Sequence, residues 1–258
     1  DAPDLPYQPR DPKTYRPAIG LIGCGGISEM HLRAYKNAGY EIAALCSRDR
    51  DRVEQRQQEF YPAAEIYLDY RDLLARDDIE VVDITPHPED RVPILEAAID
   101  AGKHILSQKP FVVDLDLGEQ LVERAAQQGI KLAVNQNGRW APHFSYMRQA
   151  VATGLVGTVQ SIHFAVHWDH NWIAATAFDE VEDLVLYDFG IHWFDMAVAL
   201  LGAEKPQRVY ASARRAADQE ARPPLLAQAA IECEEAQVSI AFNGNTRQGQ
   251  EDRTYLVG

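Results

Sequence analysis

The sequence predicts an α/β protein in which a parallel, doubly wound sheet is followed by a second domain with a sheet of its own. Short apolar runs alternate with helical patterns at regular intervals as far as Gln136. Right-handed crossovers would place all the strand carboxyl ends of that first sheet on one edge. After Gln136 several strand signals follow one another, which predicts an antiparallel or mixed sheet.

The first domain takes its strands from runs that carry little or no charge, since a parallel sheet is covered on both faces. We predict strands at 18–23, 40–46, 80–85, 104–106 and 130–136. The intervening segments have helical patterns and mostly end at a glycine. We predict helices at 29–39, 49–60, 92–102 and 116–129.

The second domain has fewer helices and longer strands. Its predicted helices are 141–154 and 188–202, and its predicted strands are 158–168, 207–215, 225–235, 236–244 and 253–257. The domain boundaries follow from these elements: an extended lead-in at 1–17, a first domain at 18–136 and a second at 137–258. The chain ends directly after a strand signal, and we expect C-terminal sequence to be missing.

Charge and cysteine content exclude several classes of protein. The formal net charge is -14 and no cluster of Lys or Arg interrupts it, so we expect no nucleic-acid or membrane partner. Three widely spaced cysteines favour neither a disulfide framework nor a zinc motif, and they fit a reducing, cytoplasmic location. No apolar run reaches membrane-spanning length.

A glycine-rich turn follows the first predicted strand and opens the first helix. It reads Gly23-Cys24-Gly25-Gly26-Ile27-Ser28. Such a turn lets a pyrophosphate approach the backbone, and the helix N-terminus then offers free N–H groups and a partial positive charge. The context of strand, turn and helix predicts a Rossmann dinucleotide-binding domain. Ser28 stands where the fingerprint usually has Gly or Ala.

The end of the second strand bears on the choice of cofactor. NAD enzymes usually carry an acidic residue there for the ribose hydroxyls, whereas this chain has Ser47 and Arg48. A Ser–Arg pair suits a 2′-phosphate, so we favour NADP over NAD. Alternatively, Arg48 is only a solvated residue at a helix start and Asp49 serves NAD.

Three segments together resemble the Gfo/Idh/MocA family of oxidoreductases. They are "GLIGCGGISEMHLRAY", "VVDITPHPEDRVPILEAAIDAGKHILSQKP" and "DFGIHWFDMAVALLG", and they follow in the family's order. The resemblance implies an N-terminal Rossmann domain and a C-terminal α+β domain. It also implies that the second domain's sheet is open and mostly antiparallel, forms the substrate wall and often an oligomer interface.

The resemblance assigns a catalytic or substrate-orienting role to Lys109. The family's usual Glu-Lys-Pro is Gln108-Lys109-Pro110 here, so the lysine matches and the acid does not. A neutral amide keeps the hydrogen-bonding shape but loses a charge beside the lysine. Pro110 keeps Lys109 out of the helical region and thereby fixes the backbone.

The resemblance also marks Asp188 and His192 as the catalytic pair of the second domain. They are four residues apart, which on a helix places both on one face. Imidazole suits removal of a hydroxyl proton while hydride leaves from carbon, Asp188 could orient the hydroxyl, and Lys109 would stabilise developing alkoxide. Asp195 is a weaker candidate one turn further on.

The remaining site predictions come from loops after strands. Thr85 and Pro86 border the nicotinamide ribose, while Arg139 and Trp140 either line the substrate site or serve interdomain packing. The complete set of predicted cofactor-binding residues is Gly23, Gly25, Gly26, Ile27, Ser28, Ser47, Arg48, Thr85, Pro86, Gln108, Lys109 and Asn137. The predicted substrate-binding residues are Arg139, Trp140, His170, Asp188 and His192.

A group of histidines invites comparison with a metal site. His163, His167, Asp169 and His170 lie close together in the sequence but lack a recognised metal-site spacing. We therefore predict no metal and expect these side chains to face substrate or a neighbouring subunit.

The sequence as a whole predicts a cytoplasmic NAD(P)-dependent dehydrogenase of a sugar, polyol or related hydroxy compound. We expect a homodimer or homotetramer formed through the C-terminal sheet. Two alternatives remain: a cofactor-binding regulator without turnover, and an enzyme that uses its cofactor transiently in glycoside cleavage or sugar transhydrogenation.

Overall fold

The computed structural model describes residues 2–258, which divide into two compact units. One unit is Asp11–Asn135, and the other combines residues 2–10 with Gln136–Gly258. Each unit is built around one sheet with helices packed on it, which confirms the predicted α/β class. No helix in the described part of the chain is both long and apolar enough to cross a bilayer.

The unit Asp11–Asn135 contains a six-stranded parallel sheet in the order β3-β2-β1-β4-β5-β6. Its strands are β1 (Ile19–Ile22), β2 (Ile42–Cys46), β3 (Glu65–Tyr67), β4 (Val81–Ile84), β5 (His104–Ser107) and β6 (Leu132–Val134). Its helices are α1 (Ser28–Asn37), α2 (Arg50–Phe60), α3 (Tyr70–Leu74), α4 (Pro88–Asp100) and α5 (Leu115–Gln127). The strand order reverses between β1 and β4, the position at which doubly wound sheets bind ligands.

Burial explains why β1 and β2 carry no polar side chains except the thiol of Cys46. Leu21 and Leu45 lie in one hydrophobic cluster, whereas Ile22 and Cys46, the next residues along each strand, lie in another. Successive side chains of a strand point to opposite faces, so both faces of this sheet are covered. Each fully buried Leu or Ile contributes about 1.5–3 kcal/mol relative to an exposed one.

Two elements of this unit, β3 and α3, were not predicted from the sequence. β3 has only three residues and lies at the sheet edge, paired with β2 alone. α3 begins after Asp69, whose side chain accepts a hydrogen bond from the Arg71 N–H at 2.9 Å. Both elements are too short to show a hydrophobic period.

The second unit contains a five-stranded sheet in the order β11-β7-β10-β9-β8. Its strands are β7 (Ser161–His167), β8 (Arg208–Arg214), β9 (Leu226–Glu232), β10 (Gln237–Asn243) and β11 (Glu251–Val257). Its α-helices are α6 (Pro142–Ala152) and α7 (Ile191–Leu201). Only β7 and β10 run parallel, so the sheet is mixed and mostly antiparallel.

The sheet of the second unit is covered on one face and open on the other. In β9 and β10 every second residue is buried, and these side chains share a core with Trp193, Met196 and Leu200 of α7. The alternate residues of both strands are exposed or half-buried. This alternation is typical of an antiparallel sheet with one solvated face.

The segment predicted as one helix at 188–202 is interrupted. Val185–Phe189 forms a π-helical turn, closed by a 2.6 Å hydrogen bond from the Gly190 N–H to the Val185 carbonyl, and α7 begins at Ile191. A Cβ atom on Gly190 would lie 2.8 Å and 2.9 Å from the carbonyl oxygens of Val185 and Leu186. Asp188 and His192 therefore do not share one regular α-helix, contrary to the geometry that their spacing predicted.

The N-terminal residues, predicted as an extended lead-in, pack on α6 of the second unit. The hydroxyl of Ser145 donates to the Tyr7 carbonyl, and the hydroxyl of Tyr146 donates to the Pro3 carbonyl at 2.8 Å. The rings of Tyr7 and Tyr146 meet edge to face at 5.9 Å. Residues 2–10 are therefore ordered against this unit although they form neither helix nor strand.

We predict that Gly190→Ala destabilises the second unit by about 2 kcal/mol, because the added methyl group meets backbone carbonyls that cannot rotate away. Gly138→Ala is the matched control, since its Cβ would stand in ordinary contact at 3.7 Å from His192. Urea unfolding of both variants measures the difference. Equal free energies of unfolding for the two variants would contradict the assigned packing at the π-helical turn.

Candidate functional site

The carboxyl edge of the parallel sheet gathers most of the predicted cofactor-binding residues. Hydrogen bonds continue the sheet beyond the strand ends: the Gly23 N–H donates to Cys46 at 2.8 Å, and the Thr85 N–H donates to Ile22 at 2.9 Å. The Gln108 N–H likewise donates to Ile84 at 2.9 Å. The loops that follow β1, β2, β4 and β5 therefore start from one hydrogen-bonded edge.

The glycines of the turn are required for two different reasons. Gly23 has a φ of +100°, and a Cβ there would lie 2.6 Å from Thr85 Oγ1 and 2.7 Å from Pro86 Cδ. By contrast, a Cβ on Gly25 or Gly26 would meet nothing within 4 Å. The protein's own packing requires Gly23 but leaves open space at the next two glycines, as close approach of a pyrophosphate requires.

The first helix presents its N-terminus at this turn. Ser28 is fully buried and its hydroxyl donates to the Gly25 carbonyl at 2.6 Å, which closes the turn. No side chain caps the first turn of α1. The helix start therefore has the features of an anion-binding N-terminus.

Cys24, within the turn, is a structural thiol. Burial raises its pKa to about 12, and burial raises that of Cys46 to about 12 as well. The Cys24 thiol donates to the Cys46 carbonyl at 3.8 Å. Both groups therefore remain protonated at neutral pH and contribute packing and hydrogen bonding.

Three side chains follow the end of β2, and they make different contacts. Asp49 caps α2: its Oδ1 accepts from the Arg52 N–H at 3.1 Å and its Oδ2 pairs with Arg52 Nε at 3.0 Å. Arg48 is 84% exposed at its side chain and contacts the exposed Asp90 at 3.0 Å. Ser47 Oγ accepts from the Asp49 N–H at 3.2 Å.

A buried arginine that was not predicted from the sequence joins the loops after β4 and β5. Arg91 on α4 is 1% exposed, and its guanidinium donates to Pro86 O at 2.6 Å and 3.0 Å. It also donates to the carbonyls of Gln108, Pro110 and Phe111. One cation thus holds the two loops that carry Pro86 and Lys109.

A second missed group is a buried polar network beneath Lys109. His31 Nδ1 lies 2.7 Å from Asp83 Oδ2, and the same carboxylate oxygen accepts from the Tyr35 hydroxyl at 2.9 Å. The other ring nitrogen, Nε2, lies 3.2 Å from the amide nitrogens of both Gln108 and Asn135. Burial, reinforced by Asp83, raises the pKa of Tyr35, which keeps its hydroxyl a donor.

Gln108 connects that network to the lysine. Its Oε1 accepts from the backbone N–H of Lys109 at 2.6 Å. Lys109 is half-buried, and its peptide bond to Pro110 is cis. The predicted Lys109 therefore occupies a loop whose backbone is held by Arg91 and by Gln108.

The second unit holds the other predicted catalytic residues. His192 lies in the first turn of α7 and packs against the backbone at Gly138, where a Cβ would lie 3.7 Å from His192 Nδ1. Asp188 lies in the π-helical turn that precedes α7. Asn137, Arg139 and Trp140 share one 3-10 turn, which follows β6 in the chain and belongs to this unit.

Arg139 is engaged by Asp195 in a two-pronged ion pair. Its Nε and Nη2 lie 2.6 Å and 2.5 Å from the two carboxylate oxygens, and these hydrogen bonds raise the pKa of Arg139. Trp140 is exposed, with the Arg148 guanidinium 5.2 Å from its ring centroid. The structure therefore gives Asp195 a role in orienting Arg139.

His170 belongs to an aromatic cluster. Its ring lies 4.3 Å from that of Phe189 and 5.6 Å from that of Trp168. The Trp172 indole N–H donates to His170 Nδ1 at 3.4 Å. Burial lowers the pKa of His170, partly offset by Asp169, so the ring is neutral near pH 7.

The other two histidines of the predicted group, His163 and His167, each have a polar partner. His163 Nδ1 lies 2.7 Å from Ser239 Oγ, and His167 lies 3.4 Å from Glu251. Asp169 accepts from the N–H and the side-chain amide of Asn171, which lowers its pKa. Over residues 2–258 no group of three or more His, Cys, Asp or Glu side chains is arranged to hold a metal ion.

Two family models match the chain over most of its length. Residues 18–136 match the oxidoreductase family with an NAD-binding Rossmann fold. Residues 144–258 match the GFO/IDH/MocA C-terminal domain.

Curated relatives are similar over part of their length. D-apiose dehydrogenase of Paraburkholderia graminis is 31% identical over 189 residues, which are 70% of this chain and 49% of that protein. Inositol 2-dehydrogenase of Salmonella typhimurium is 26% identical over 195 residues, which are 74% of this chain and 56% of that protein. The chain thus spans about half the length of these relatives.

Solved structures share the fold. An oxidoreductase from Agrobacterium radiobacter, in complex with NAD+, L-tartaric acid and magnesium, has a TM-score of 0.86 at 23% identity and covers 95% of this chain and 72% of its own. A scyllo-inositol dehydrogenase from Lactobacillus casei, with NAD(H) and scyllo-inositol, has a TM-score of 0.83 at 21% identity and covers 95% and 74%. With the two family matches and the Rossmann turn described above, the chain belongs to the Gfo/Idh/MocA family of oxidoreductases.

Proposed function

We propose that this protein transfers a hydride between a nicotinamide dinucleotide and a hydroxyl-bearing carbon of a sugar, polyol or related compound. The observation that carries this proposal is the carboxyl edge of the parallel sheet. There an open glycine turn and an uncapped helix N-terminus follow β1, and a lysine whose backbone N–H is held by Gln108 follows β5. The relatives named as dehydrogenases of apiose and inositol support the substrate class.

The residues at this edge fit a dinucleotide. The open space at Gly25 and Gly26 accepts a pyrophosphate, and the N-terminus of α1 binds its charge. Thr85 and Pro86 would border the nicotinamide ribose. When bound, the nicotinamide supplies or accepts the hydride, a chemistry that amino-acid side chains lack.

The chain's own residues would manage the proton and the developing charge. We assign His192 as the base that removes the hydroxyl proton and Asp188 as the group that orients that hydroxyl. The ammonium group of Lys109 would stabilise the negative charge that develops on oxygen. Arg91 and Gln108 contribute by fixing the backbone from which that ammonium extends.

Polar and aromatic side chains of the second unit suit recognition of a polyol. The exposed indole of Trp140 offers a face for stacking on a sugar ring, and the neutral ring of His170 offers a hydrogen-bonding nitrogen. Asp195 holds the guanidinium of Arg139 in one orientation, so any hydrogen bond from Arg139 to a substrate would have a fixed direction. These side chains would suit a substrate with hydroxyl groups on neighbouring carbons.

NADP is the cofactor that the end of β2 favours. Asp49, the acid that could bond ribose hydroxyls, is occupied as the cap of α2 and by Arg52. Arg48 extends into solvent, and its exposed ion pair with Asp90 is worth little, so it can be exchanged for a phosphate. Ser47 adds a hydroxyl without negative charge.

The open face of the second sheet is the proposed surface for self-association. A cross-strand row, Tyr255, His163, Ser239, Ala230 and Tyr210, lies on it. Both tyrosines are more than half exposed. We propose that this face pairs with a second copy in a homodimer or homotetramer, and that the protein is cytoplasmic, as its three free cysteines suit.

The cofactor assignment predicts a higher kcat/KM with NADP than with NAD, by about tenfold or more. Arg48→Ala should lower the value for NADP and leave that for NAD nearly unchanged, because only the 2′-phosphate is lost as a partner. Arg50→Ala is the control, since Arg50 is a neighbouring exposed arginine paired with Glu54 at 3.3 Å. A wild-type preference for NAD would contradict the assignment.

The catalytic assignment predicts that Lys109→Met and His192→Gln each lower kcat by about 100-fold or more, with cofactor affinity retained. The assay is cofactor reduction over a panel of sugars and polyols, with affinity measured by fluorescence titration. Lys36→Ala, an exposed lysine in the last turn of α1, serves as the control.

The same assay separates the alternatives. Retained turnover in both variants would refute the assigned roles. Tight NADP binding without turnover of any compound would favour a regulatory protein. A cofactor that stays bound through every cycle would favour glycoside cleavage or transhydrogenation between sugars.

A further inference from the structure

The orientation of the Gln108 side chain is fixed by a group that can only donate. The backbone N–H of Lys109 points at one end of the amide, 2.6 Å away. That end must be the carbonyl oxygen, because an amide nitrogen cannot accept a hydrogen bond. The –NH₂ end therefore faces His31 Nε2, at 3.2 Å.

The protonation of His31 follows from that orientation. Its Nε2 faces the amide nitrogen of Gln108, a donor, so Nε2 must carry the lone pair. The Asn135 amide nitrogen approaches the same atom at 3.2 Å. The ring proton then lies on Nδ1 and is donated to Asp83 Oδ2 at 2.7 Å. His31 is thus a neutral imidazole in a single tautomer.

The four groups form a chain of hydrogen bonds with one direction. The Lys109 N–H donates to Gln108, the Gln108 amide donates to His31, and His31 donates to Asp83. Asp83 is fully buried and Gln108 and His31 nearly so, which makes each bond costly to leave unmade. The series of hydrogen bonds ends at the Asp83 carboxylate, which can only accept, so each donor points in its direction.

We propose that Gln108 and His31 are positioning residues that hold the backbone of Lys109. The imidazole of His31 is neutral in this arrangement, and an amide at position 108 permits that state where a carboxylate does not. This inference rests on the proposed function for the role of Lys109. The hydrogen-bond chain itself can be tested without turnover. Its consequence is that glutamine at position 108 is required by the neutral state of His31, and glutamate is not an equivalent replacement.

The reason lies in the number of protons available. A carboxylate at position 108 would accept the Lys109 N–H with one oxygen and turn its other oxygen toward His31 Nε2. Two lone pairs would then face each other unless His31 took up a second proton. Gln108→Glu therefore predicts an imidazolium held between two carboxylates. Arg91 donates to the backbone carbonyl of residue 108, which the substitution leaves unchanged. This hydrogen bond keeps the loop in place in the variant.

The direct test is the protonation state of His31, measured on the full chain at pH 7 by long-range ¹H–¹⁵N spectra with labelled histidine. A His31→Gln variant identifies the resonance. We expect one protonated nitrogen, Nδ1, in the wild type and two in Gln108→Glu. A wild-type ring protonated on Nε2, or a ring that stays neutral in Gln108→Glu, would overturn the proposal.

The kinetic test asks whether the chain positions the lysine. Gln108→Glu should lower kcat by about 10- to 100-fold, with KM for the cofactor little changed, and add a titrating group to the pH profile of kcat. Tyr35→Phe is the matched control, because it removes a 2.9 Å hydrogen bond to Asp83 outside the chain. Equal losses in the two variants, or an unchanged kcat in Gln108→Glu, would overturn the positioning role.

The two kinds of failure are distinguishable. If the wild type turns over no substrate, the proposed function fails, while the nitrogen spectra still decide the protonation of His31. If the wild type is active and the spectra show the wrong tautomer, the proposed function stands and this inference fails.

Discussion

The guanidinium of Arg91 is the constraint on which the carboxyl edge of the parallel sheet depends. A buried cation is expensive unless hydrogen bonds replace its water. Here the replacement consists of backbone carbonyls at Pro86, Gln108, Pro110 and Phe111. Loop carbonyls in a buried position also need donors. The arginine therefore satisfies two demands at once and ties the loop after β4 to the loop after β5.

A second network, made of side chains and a buried carboxylate, also supports this edge. Asp83 and His31 lie under Gln108, and Gln108 holds the backbone of Lys109. Two independent sets of hydrogen bonds thus fix the backbone at Lys109. Arg91 donates to the carbonyls of the neighbouring Gln108 and Pro110, and the Lys109 N–H donates to the Gln108 side chain. Catalysis by electrostatic stabilisation needs groups that are already oriented before the reaction, and a fixed backbone at Lys109 would serve its proposed role in this way.

Much of the fold could be predicted because it is encoded locally. Alternating apolar runs and glycine stops locate five of the six parallel strands, and Gly23 needs a positive φ that its motif implies. β3 was missed because three edge residues carry no period. The interruption before α7 was missed because it depends on the Gly190 contact with carbonyls of the preceding turn, which spacing alone does not show.

The supporting residues of the site could not be predicted because their partners are distant in sequence. His31 is 52 residues from Asp83, 77 from Gln108 and 104 from Asn135. One signal was available: Asp83 interrupts an apolar strand, and a buried carboxylate requires a partner. Arg91 gave no such signal, since a charged residue early in a helix is ordinarily solvated.

The proposed function requires that Lys109 and His192 both act on the substrate in one reaction. The most direct measurement is a crystal structure of the protein with NADP and a polyol that it oxidises. We predict one hydroxyl of the polyol within hydrogen-bonding distance of both Lys109 Nζ and the His192 imidazole, with its carbon facing the nicotinamide ring. A bound polyol that contacts only one of these two side chains, or neither, would contradict the proposed roles of Lys109 and His192.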